Sequence, residues 1–427
     1  MKKILLLSVN YPPMITLGSV RASRFVAKLP DLKWVPFVVA PADVAWGDED
    51  KSRVSQESPG FSGVYRTGEP VNAAAFGPER VSQMLQGMTA AALTGSPLRM
   101  ISGLLPGVNF LSGWEKQAAA VAEGIISRHD AVDAIYAQGP PAAPPLLALE
   151  LSAKHGVPVL FDLVAPVDGI ALPGGSRHDL ARIEERVLTS GHSIMTPTRP
   201  LKEHFLKKYF GKVKHDDISI VSDFCLMQPQ TKPLSMHKSE AGSEFLVFPE
   251  QLQGKEMKLF AEAISGFMQQ VGLFRGGVSV RIVGGEYQEL LKQIRKHLPD
   301  APVSGSNRLR EWEEMEALLR CDVFCHAGSH LDESAKFSLP ERLFDAYCQK
   351  KTLLVIGPDG PASQLAYEAG GFYAPLSDIS SIIGAFQAAA ECRKAPDAVG
   401  DFRESGRYAA DSAIEDLSKL LAYMLPV

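Results

Sequence analysis

Arg342 and Asp345 are the two residues whose types and spacing point most directly to chemistry. They lie in "SLPERLFDAYCQKKTLLVIGPDGP", residues 338–361, where Pro340 is typical of the first turn of a helix. Their spacing places both side chains on one face of that helix, near its N-terminal end. There a carboxylate accepts hydrogen bonds from a diol, and a guanidinium binds phosphate. A surface ion pair on an ordinary helix is the alternative interpretation.

A turn that contains two glycines follows the next predicted strand, "TLLVIG". This turn, "GPDGP", carries Gly357 and Gly360, and Pro361 begins another predicted helix. Backbone amides at the start of that helix would form a second anion-binding position, because a helix N-terminus carries partial positive charge. An ordinary loop is again the alternative.

The first predicted strand, "KILLLSVN", is followed by a loop that argues against a dinucleotide site. Dinucleotide-binding folds need the pattern G-x-G-x-x-G at this point, whereas "NYPPMITLGSVR" contains one glycine. Gly18 and Ser19 would bring backbone amides to a helix start where an anion or sugar hydroxyls could bind, and Arg21 follows in that helix. The alternative is a plain strand-to-helix turn with Ser19 as the N-cap.

The spacing of Cys321 and Cys325, with His326 and His330 nearby, raises the question of a zinc site. Structural zinc sites use a second pair of ligands with similar spacing, and the sequence contains none. We therefore expect no metal. The two cysteines fit a buried strand, where a free cysteine behaves as a small apolar residue.

The elements that must position these residues alternate along the chain as short apolar segments and amphipathic helices. This alternation is typical of α/β domains with parallel sheets, and 427 residues favour two domains. A polar stretch without periodicity, residues 226–242, interrupts the pattern and is typical of a linker. We predict two Rossmann-like, doubly wound domains facing across a cleft. They span 1–225, with an insertion at about 50–115, and 243–404, and a C-terminal helix at 405–427 braces the first domain.

Composition and charge limit the partners and the location of the protein. A net charge of −5 gives no indication of nucleic acid as a partner. The apolar run after Lys2 and Lys3 is too short for a signal peptide, and no stretch reaches the roughly 18 apolar residues of a membrane span, so we expect a cytoplasmic protein. The basic and aromatic segment "HFLKKYFGKVKH", residues 204–215, suits peripheral contact with anionic lipid at the inner face of the plasma membrane. A solvated helix end is the alternative.

Several segments together resemble one family over nearly the whole chain: the bacterial glycosyltransferases of family 4 with the GT-B fold, which build surface polysaccharides. "LLLSVNYPPMITLGSVRASRF" is similar to the family's "YPP…GG…R" opening. "PERLFDAYCQKKTLLVIGPDGPAS" is similar to "PSKLFEYMAAGKPVLASGP", which is the most specific match. "QGKEMKLFAEAI" resembles "EKGVDLLIEAF", and "VRIVGGE" resembles "VIVGDGP".

The resemblance implies that a nucleoside-diphosphate sugar is the co-substrate, with no further cofactor and no metal. It also implies transfer with retention to a glycan or lipid-linked acceptor. Asp345 would hold the nucleotide ribose, Lys255 would bind the diphosphate, and Arg342 stands where many members have lysine. The residues implied for nucleotide-sugar binding are Lys255, Gly284, Glu341, Arg342, Asp345, Gly357 and Gly360, and the acceptor-side loop comprises Gly18, Ser19 and Arg21.

Several positions depart from the family's pattern, among them "SDF", residues 222–224, where the family has a "PNG" turn. Glu250 stands in "FPEQL" where the family has a diphosphate-binding arginine, and Pro249 stands where it has glycine. Phe337 occupies the place of the first glutamate of an E-x7-E motif, and Gln138 lies near the place of an acceptor-side histidine. Two alternatives therefore stay open: a non-catalytic partner or scaffold protein of the same fold, and a sugar-nucleotide epimerase. No carboxylate is spaced so as to identify a catalytic base.

Overall fold

The computed structural model divides into two compact units, one formed by Met1–Asp223 with Asp411–Val427 and the other by Phe224–Ala410. The predicted linker, residues 226–242, lies outside the described part of the chain, as do residues 50–62 and 68–108 of the predicted insertion. The described residues are 1–12, 17–41, 63–67, 109–128, 132–169, 177–224, 243–271, 277–285, 287–307, 309, 311–392, 408 and 410–425.

The first unit alternates strands and helices along the chain. Its strands are β1 (Lys2–Leu7), β2 (Trp34–Pro41), β3 (Val64–Thr67), β4 (Ala134–Gly139), β5 (Val159–Leu163), β6 (Ser193–Thr196) and β7 (Ile218–Ile220). The helices that follow the same order are α1 (Leu17–Lys28), α2 (Asn109–Arg128), α3 (Ala143–His155), α4 (Arg177–Leu188) and α5 (Arg199–Lys208).

The strands of the first unit form one sheet in the order β3-β2-β1-β4-β5-β6-β7, and every pairing is parallel. Leu5 on the central strand β1 lies opposite Phe37 on β2 and Ile135 on β4. The side chains of β1 from Ile4 to Leu7 are fully buried. A parallel sheet with helices on both faces buries its strands on both sides, which explains the uninterrupted apolar run "ILLL".

The second unit repeats this alternation. Its strands are β8 (Ser243–Glu250), β9 (Val278–Val283), β10 (Val303–Ser306), β11 (Val323–Gly328), β12 (Thr352–Ile356) and β13 (Phe372–Ala374). Its helices are α6 (Gly254–Val271), α7 (Tyr287–His297), α8 (Glu311–Arg320), α9 (Glu341–Cys348), α10 (Pro361–Glu368) and α11 (Ile379–Cys392). A 3-10 turn spans Glu333–Lys336.

The strands of the second unit form a parallel sheet in the order β10-β9-β8-β11-β12-β13. Successive side chains of β8 point to opposite faces, as the two-residue period of a strand requires. Phe245 and Val247 pack in the core under α6, α7 and α11. Leu246 and Phe248 pack in the core under α8, α9 and α10. The second of these two faces carries the candidate site described below.

These two all-parallel sheets with alternating helices confirm the predicted fold class of two Rossmann-like α/β domains. The last helix, α12 (Ala410–Tyr423), belongs with the first unit. Among the helices described, none combines the length and the apolar character needed to cross a bilayer.

Candidate functional site

The strand order of the second sheet reverses direction between β8 and β11. The chain runs outward from β8 to β9 on one side, and β11 lies on the other side of β8. In open parallel sheets, ligands bind at the carboxyl ends of the strands at such a point. Glu250 on β8 and Gly328 on β11 are register partners at these ends. This edge is therefore the candidate site of the second unit.

Arg342 reaches this edge from α9 and lies between two carboxylates. Its Nε donates a hydrogen bond to Glu314 on α8, and its Nη1 lies 3.7 Å from Oε1 of Glu250. The guanidinium also stacks over the ring of Phe248, 4.9 Å from the ring centre. Burial opposes the charge, but the carboxylates of Glu314 and Glu250 raise the pKa of Arg342 above its usual value. The positive charge of Arg342 is thus largely balanced within the protein.

The segment that follows β11 is fixed to the first turn of α6. The Ser329 hydroxyl donates to Oε2 of Glu256 over 2.6 Å, and the amide of His330 donates to Oε1 of the same carboxylate over 3.0 Å. The amide of Ser329 also donates to the carbonyl oxygen of Glu250 over 3.2 Å. Hydrogen bonds to a charged group are among the stronger ones in proteins, so this loop is held in place before any ligand arrives.

Gly357 and Gly360 are required by close approaches of backbone. Gly357 has φ of 155°, and a Cβ there would lie 2.8 Å from the carbonyl oxygen of Gly328. A Cβ at Gly360 would lie 2.8 Å from the carbonyl oxygen of Ala335. The loop between β12 and α10 therefore contacts both the end of β11 and the 3-10 turn after it.

The remaining predicted donor-site residues lie on neighbouring elements of the same unit. Lys255 is exposed in the first turn of α6, which follows β8. Gly284 follows β9 with φ of 145°, and its amide donates to the carbonyl oxygen of Ser306 over 3.2 Å. Glu341 begins α9, and Asp345 lies half-buried one turn further on. Their assignment to nucleotide-sugar binding stays a prediction.

Cys321 and Cys325 are buried, and Cys325 lies within β11, whereas Cys321 precedes that strand. Burial raises the pKa of the Cys321 thiol to about 12 and raises the pKa of Cys325 as well, so both are protonated at neutral pH. In the described part of the chain, no three His, Cys, Asp or Glu side chains gather in an arrangement that would hold a metal ion.

In the first unit, the order of the strands reverses between β1 and β4, and Ser8 and Gly18 lie at that edge. Gln138 at the end of β4 donates through Nε2 to the carbonyl oxygen of Gly18 over 2.9 Å and accepts from the Ser8 hydroxyl over 2.9 Å. A Cβ at Gly18 would lie 3.1 Å from Oε1 of Gln138, so the approach favours glycine. Ser19 lies inside the first turn of α1 and is fully buried.

Arg21 is buried beneath this edge in a network of charges. Its Nε donates to Asp162 over 2.9 Å, its Nη1 to Asp223 over 2.8 Å, and its Nη2 to the carbonyl oxygen of Val221 over 2.8 Å. The hydroxyl of Tyr136 also donates to Asp162. Burial opposes the charge of Arg21, but the two carboxylates raise its pKa above the usual value. These contacts give Arg21 a structural role that the sequence did not indicate.

The basic and aromatic segment at α5 is partly neutralised inside the first unit. Lys208 pairs with the fully buried Glu184, and Lys212 pairs with Glu185. Phe205 is buried, whereas Phe210 is 90% exposed. Membrane contact through this segment stays a prediction.

Sequence reasoning missed two carboxylates that organise the candidate edge of the second unit. Glu314 lies in the acid-rich helix "EWEEMEALLR", whose pattern does not show which glutamate contacts α9. The role of Glu256 could not be predicted either, because its hydrogen-bond partners are 73 and 74 positions away in sequence. A third residue, His326, carries a visible signal in the sequence, because it is a polar residue in an apolar strand.

No protein-family model and no curated protein matches the sequence, whereas solved structures do match its fold. Sucrose-phosphate synthase from Thermosynechococcus elongatus is 11% identical with a TM-score of 0.68, over 99% of each chain. HepE from Anabaena in complex with UDP is 12% identical with a TM-score of 0.65, over 99% of this chain and 100% of that one. A protein described as a UDP-N-acetylglucosamine 2-epimerase from Listeria monocytogenes is 10% identical with a TM-score of 0.58, over 97% and 94%.

The solved structures that match include glycosyltransferases of the GT-B fold, and the two parallel sheets of this chain match theirs. At these identities the comparison establishes the fold alone. The predicted GT-B-like fold is therefore confirmed, and membership of family 4 stays a prediction.

Proposed function

We propose that the chain is a glycosyltransferase that moves a sugar from a nucleotide-sugar donor to a glycan or lipid-linked acceptor in polysaccharide synthesis. Structures of similar fold were solved with UDP and with UDP-glucose, which supports a nucleotide-sugar donor. In this proposal the donor binds at the carboxyl edge of the second sheet and the acceptor at that of the first. A lipid-linked acceptor would bring a cytoplasmic protein to the inner face of the plasma membrane.

The observation that carries the proposal is the preorganised edge around β8, β11 and β12. Glu256 fixes the loop after β11, and the backbone contacts of Gly357 and Gly360 fix the loop after β12. Loops that are already ordered lose little conformational entropy when a ligand binds. This edge also lies at the reversal of strand order, where parallel sheets bind their ligands.

The chemistry of this edge fits a leaving nucleoside diphosphate that is stabilised without a divalent ion. Lys255 and backbone amides in the first turn of α10 would face the phosphates, and preorganised donors of this kind stabilise charge that develops in a transition state. Arg342 contributes less than its charge suggests, because Glu314 and Glu250 already balance it. Asp345 would orient the ribose, and the sugar would be transferred with retention.

The proposal is tested by incubating the purified chain with UDP-glucose, UDP-N-acetylglucosamine and GDP-mannose in the presence of EDTA, with and without a lipid-linked acceptor. We expect glycosylated acceptor by mass spectrometry, with the donor's anomeric configuration kept in the product's NMR spectrum. Recovery of isomerised donor would instead identify an epimerase. Absence of turnover and of binding across the panel would contradict both activities.

A non-catalytic protein of the same fold is the second candidate, and Glu250 favours it. This carboxylate lies at the end of β8, where it repels a diphosphate, and it engages one of the cations that the donor would need. In this case the chain would act as a partner in polysaccharide assembly. It would then neither bind nor turn over nucleotide sugars.

We expect Asp345→Ala to weaken binding of the donor nucleotide by about 1–3 kcal/mol, which is the scale of losing hydrogen bonds to a charged acceptor. The reason is the proposed contact between its carboxylate and the ribose. Isothermal titration calorimetry with UDP measures the change. Asp345→Glu is the matched control, because the family that the chain resembles has glutamate at this position, and it should keep most of the affinity. Equal affinity of Asp345→Ala and the unaltered chain would remove the ribose role.

A further inference from the structure

His326 is a buried imidazole in the otherwise apolar strand β11. It is 6% exposed, and its register partners are Phe248 on β8 and Val355 on β12. Paired residues of parallel strands lie on the same face of the sheet, so His326 shares the face on which Arg342 stacks over Phe248. A histidine here needs an explanation, because burial of a polar ring costs free energy unless hydrogen bonds compensate it.

The imidazole of His326 is directed at the carboxyl edge of the sheet. A Cβ built on Gly328, two residues further along the same face, would lie 3.2 Å from Nε2 of His326. Because position 328 lacks a side chain, Nε2 opens toward the edge at which Gly328 and Glu250 are register partners. No residue in the described ranges forms a hydrogen bond with the His326 ring, so both of its nitrogens remain available for a ligand.

The charges around Nε2 favour a neutral ligand group over a phosphate. Burial lowers the pKa of His326, and the positive charge of Arg342 lowers it further. The carboxylate of Glu250 acts in the opposite direction and raises it. The ring is therefore neutral at pH 7 and carries one donor and one acceptor. The carboxylates of Glu250 and Glu314 outnumber the single cation Arg342, so the cluster carries a net negative charge. Hydroxyl groups both donate and accept hydrogen bonds and carry no charge, so they suit the surroundings of this imidazole better than a phosphate does.

We propose that His326 binds a hydroxyl group of a sugar ring of the nucleotide sugar at the carboxyl edge of β8 and β11. This inference rests on the proposed function and names the part of the donor that meets this edge. Two sugar rings have this chemistry: the ribose and the transferred sugar. The diphosphate then lies toward Lys255 and the amides in the first turn of α10.

The test is calorimetric binding of UDP-glucose and of UDP to three variants of the full chain. His326→Leu removes the ring nitrogens, and Gly328→Ala places a methyl group against Nε2 while it keeps the histidine. We expect each to weaken UDP-glucose binding about tenfold, the scale of one lost hydrogen bond in a buried site. His330→Gln is the matched control, because this exposed histidine on the same loop offers only its backbone to Glu256, and it should bind normally.

The pattern across the two ligands identifies the ring. Weakening of UDP-glucose alone places the transferred sugar at His326, and equal weakening of both ligands places the ribose there. If Gly328→Ala and His326→Leu bind both ligands as tightly as the unaltered chain, the assignment of His326 is wrong while the proposed function stands. If the unaltered chain binds neither these ligands nor the rest of the donor panel, the proposed function and this inference fail together.

Discussion

Arg21→Leu is expected to destabilise the first unit by about 3–5 kcal/mol, the usual cost of removing one partner from a buried ion pair. The change leaves Asp162, which is fully buried, without its main positive partner, and Asp223 loses the same cation. Urea unfolding followed by hydrogen exchange and mass spectrometry measures the change separately in each unit. Peptides of β1, β4 and β5 should lose protection, and peptides of β8 and β11 should keep theirs.

Lys28→Leu is the matched control, because Lys28 lies on the same helix and pairs with Asp31 at the surface over 3.2 Å. Surface ion pairs contribute about 0–1 kcal/mol, so this variant should unfold almost as the unaltered chain does. A second variant, Arg21→Leu with Asp162→Leu, removes both buried charges and should lose less stability than Arg21→Leu alone. Equal stability of Arg21→Leu and Lys28→Leu would mean that the network contributes nothing.

Glu250→Arg is expected to strengthen UDP binding by between about tenfold and a thousandfold. The upper limit follows from two like charges about 4 Å apart, which repel by roughly 4 kcal/mol at an effective dielectric of 20. The lower limit applies if Glu250 stays turned toward Arg342, so that solvent screens it from the phosphates. A gain near the upper limit, with no measurable binding by the unaltered chain, would favour the non-catalytic protein. A gain near the lower limit, with measurable binding by the unaltered chain, fits an enzyme that binds the phosphates of the donor through Lys255.

Glu262→Arg makes the same change of charge on the exposed face of α6, further along the helix. It controls for long-range attraction, which salt screens beyond about 8–10 Å. We expect its UDP affinity to change little in calorimetry at physiological ionic strength. An unchanged or weaker affinity of Glu250→Arg would show that the diphosphate does not lie at the end of β8.

The fold could be predicted from the spacing of apolar residues along the sequence. Short apolar runs such as "ILLL" and "TLLVI" have the length and bounds of strands buried on both faces, and amphipathic segments separate them. Local pattern suffices here because each strand and helix is defined by neighbouring residues. The resemblance to family 4 added the GT-B arrangement, which the solved structures of similar fold support.

The two candidate ligand-binding edges could be predicted only in part, because their chemistry depends on residues distant in sequence. Arg342 looks available for phosphate on its own helix, yet Glu314, 28 positions earlier, accepts its hydrogen bond. Arg21 looks exposed in a loop-to-helix turn, yet Asp162, 141 positions later, draws it into the interior. Residue types predicted that these positions carry charge. Only the folded chain shows which carboxylates pair with that charge.

Helix α12 packs with the first unit, but the ribosome synthesises it only after the whole second unit. Its Ala413, Leu417 and Leu421 are buried, and it completes the first unit, whose other residues end at Asp223. At about 5–20 residues per second, a ribosome needs roughly 10–40 s to make the intervening second unit. During that interval, the first unit has emerged but still exposes the apolar surface that α12 later covers. The nascent chain therefore offers a transient binding surface to chaperones, which disappears only when translation reaches the last helix.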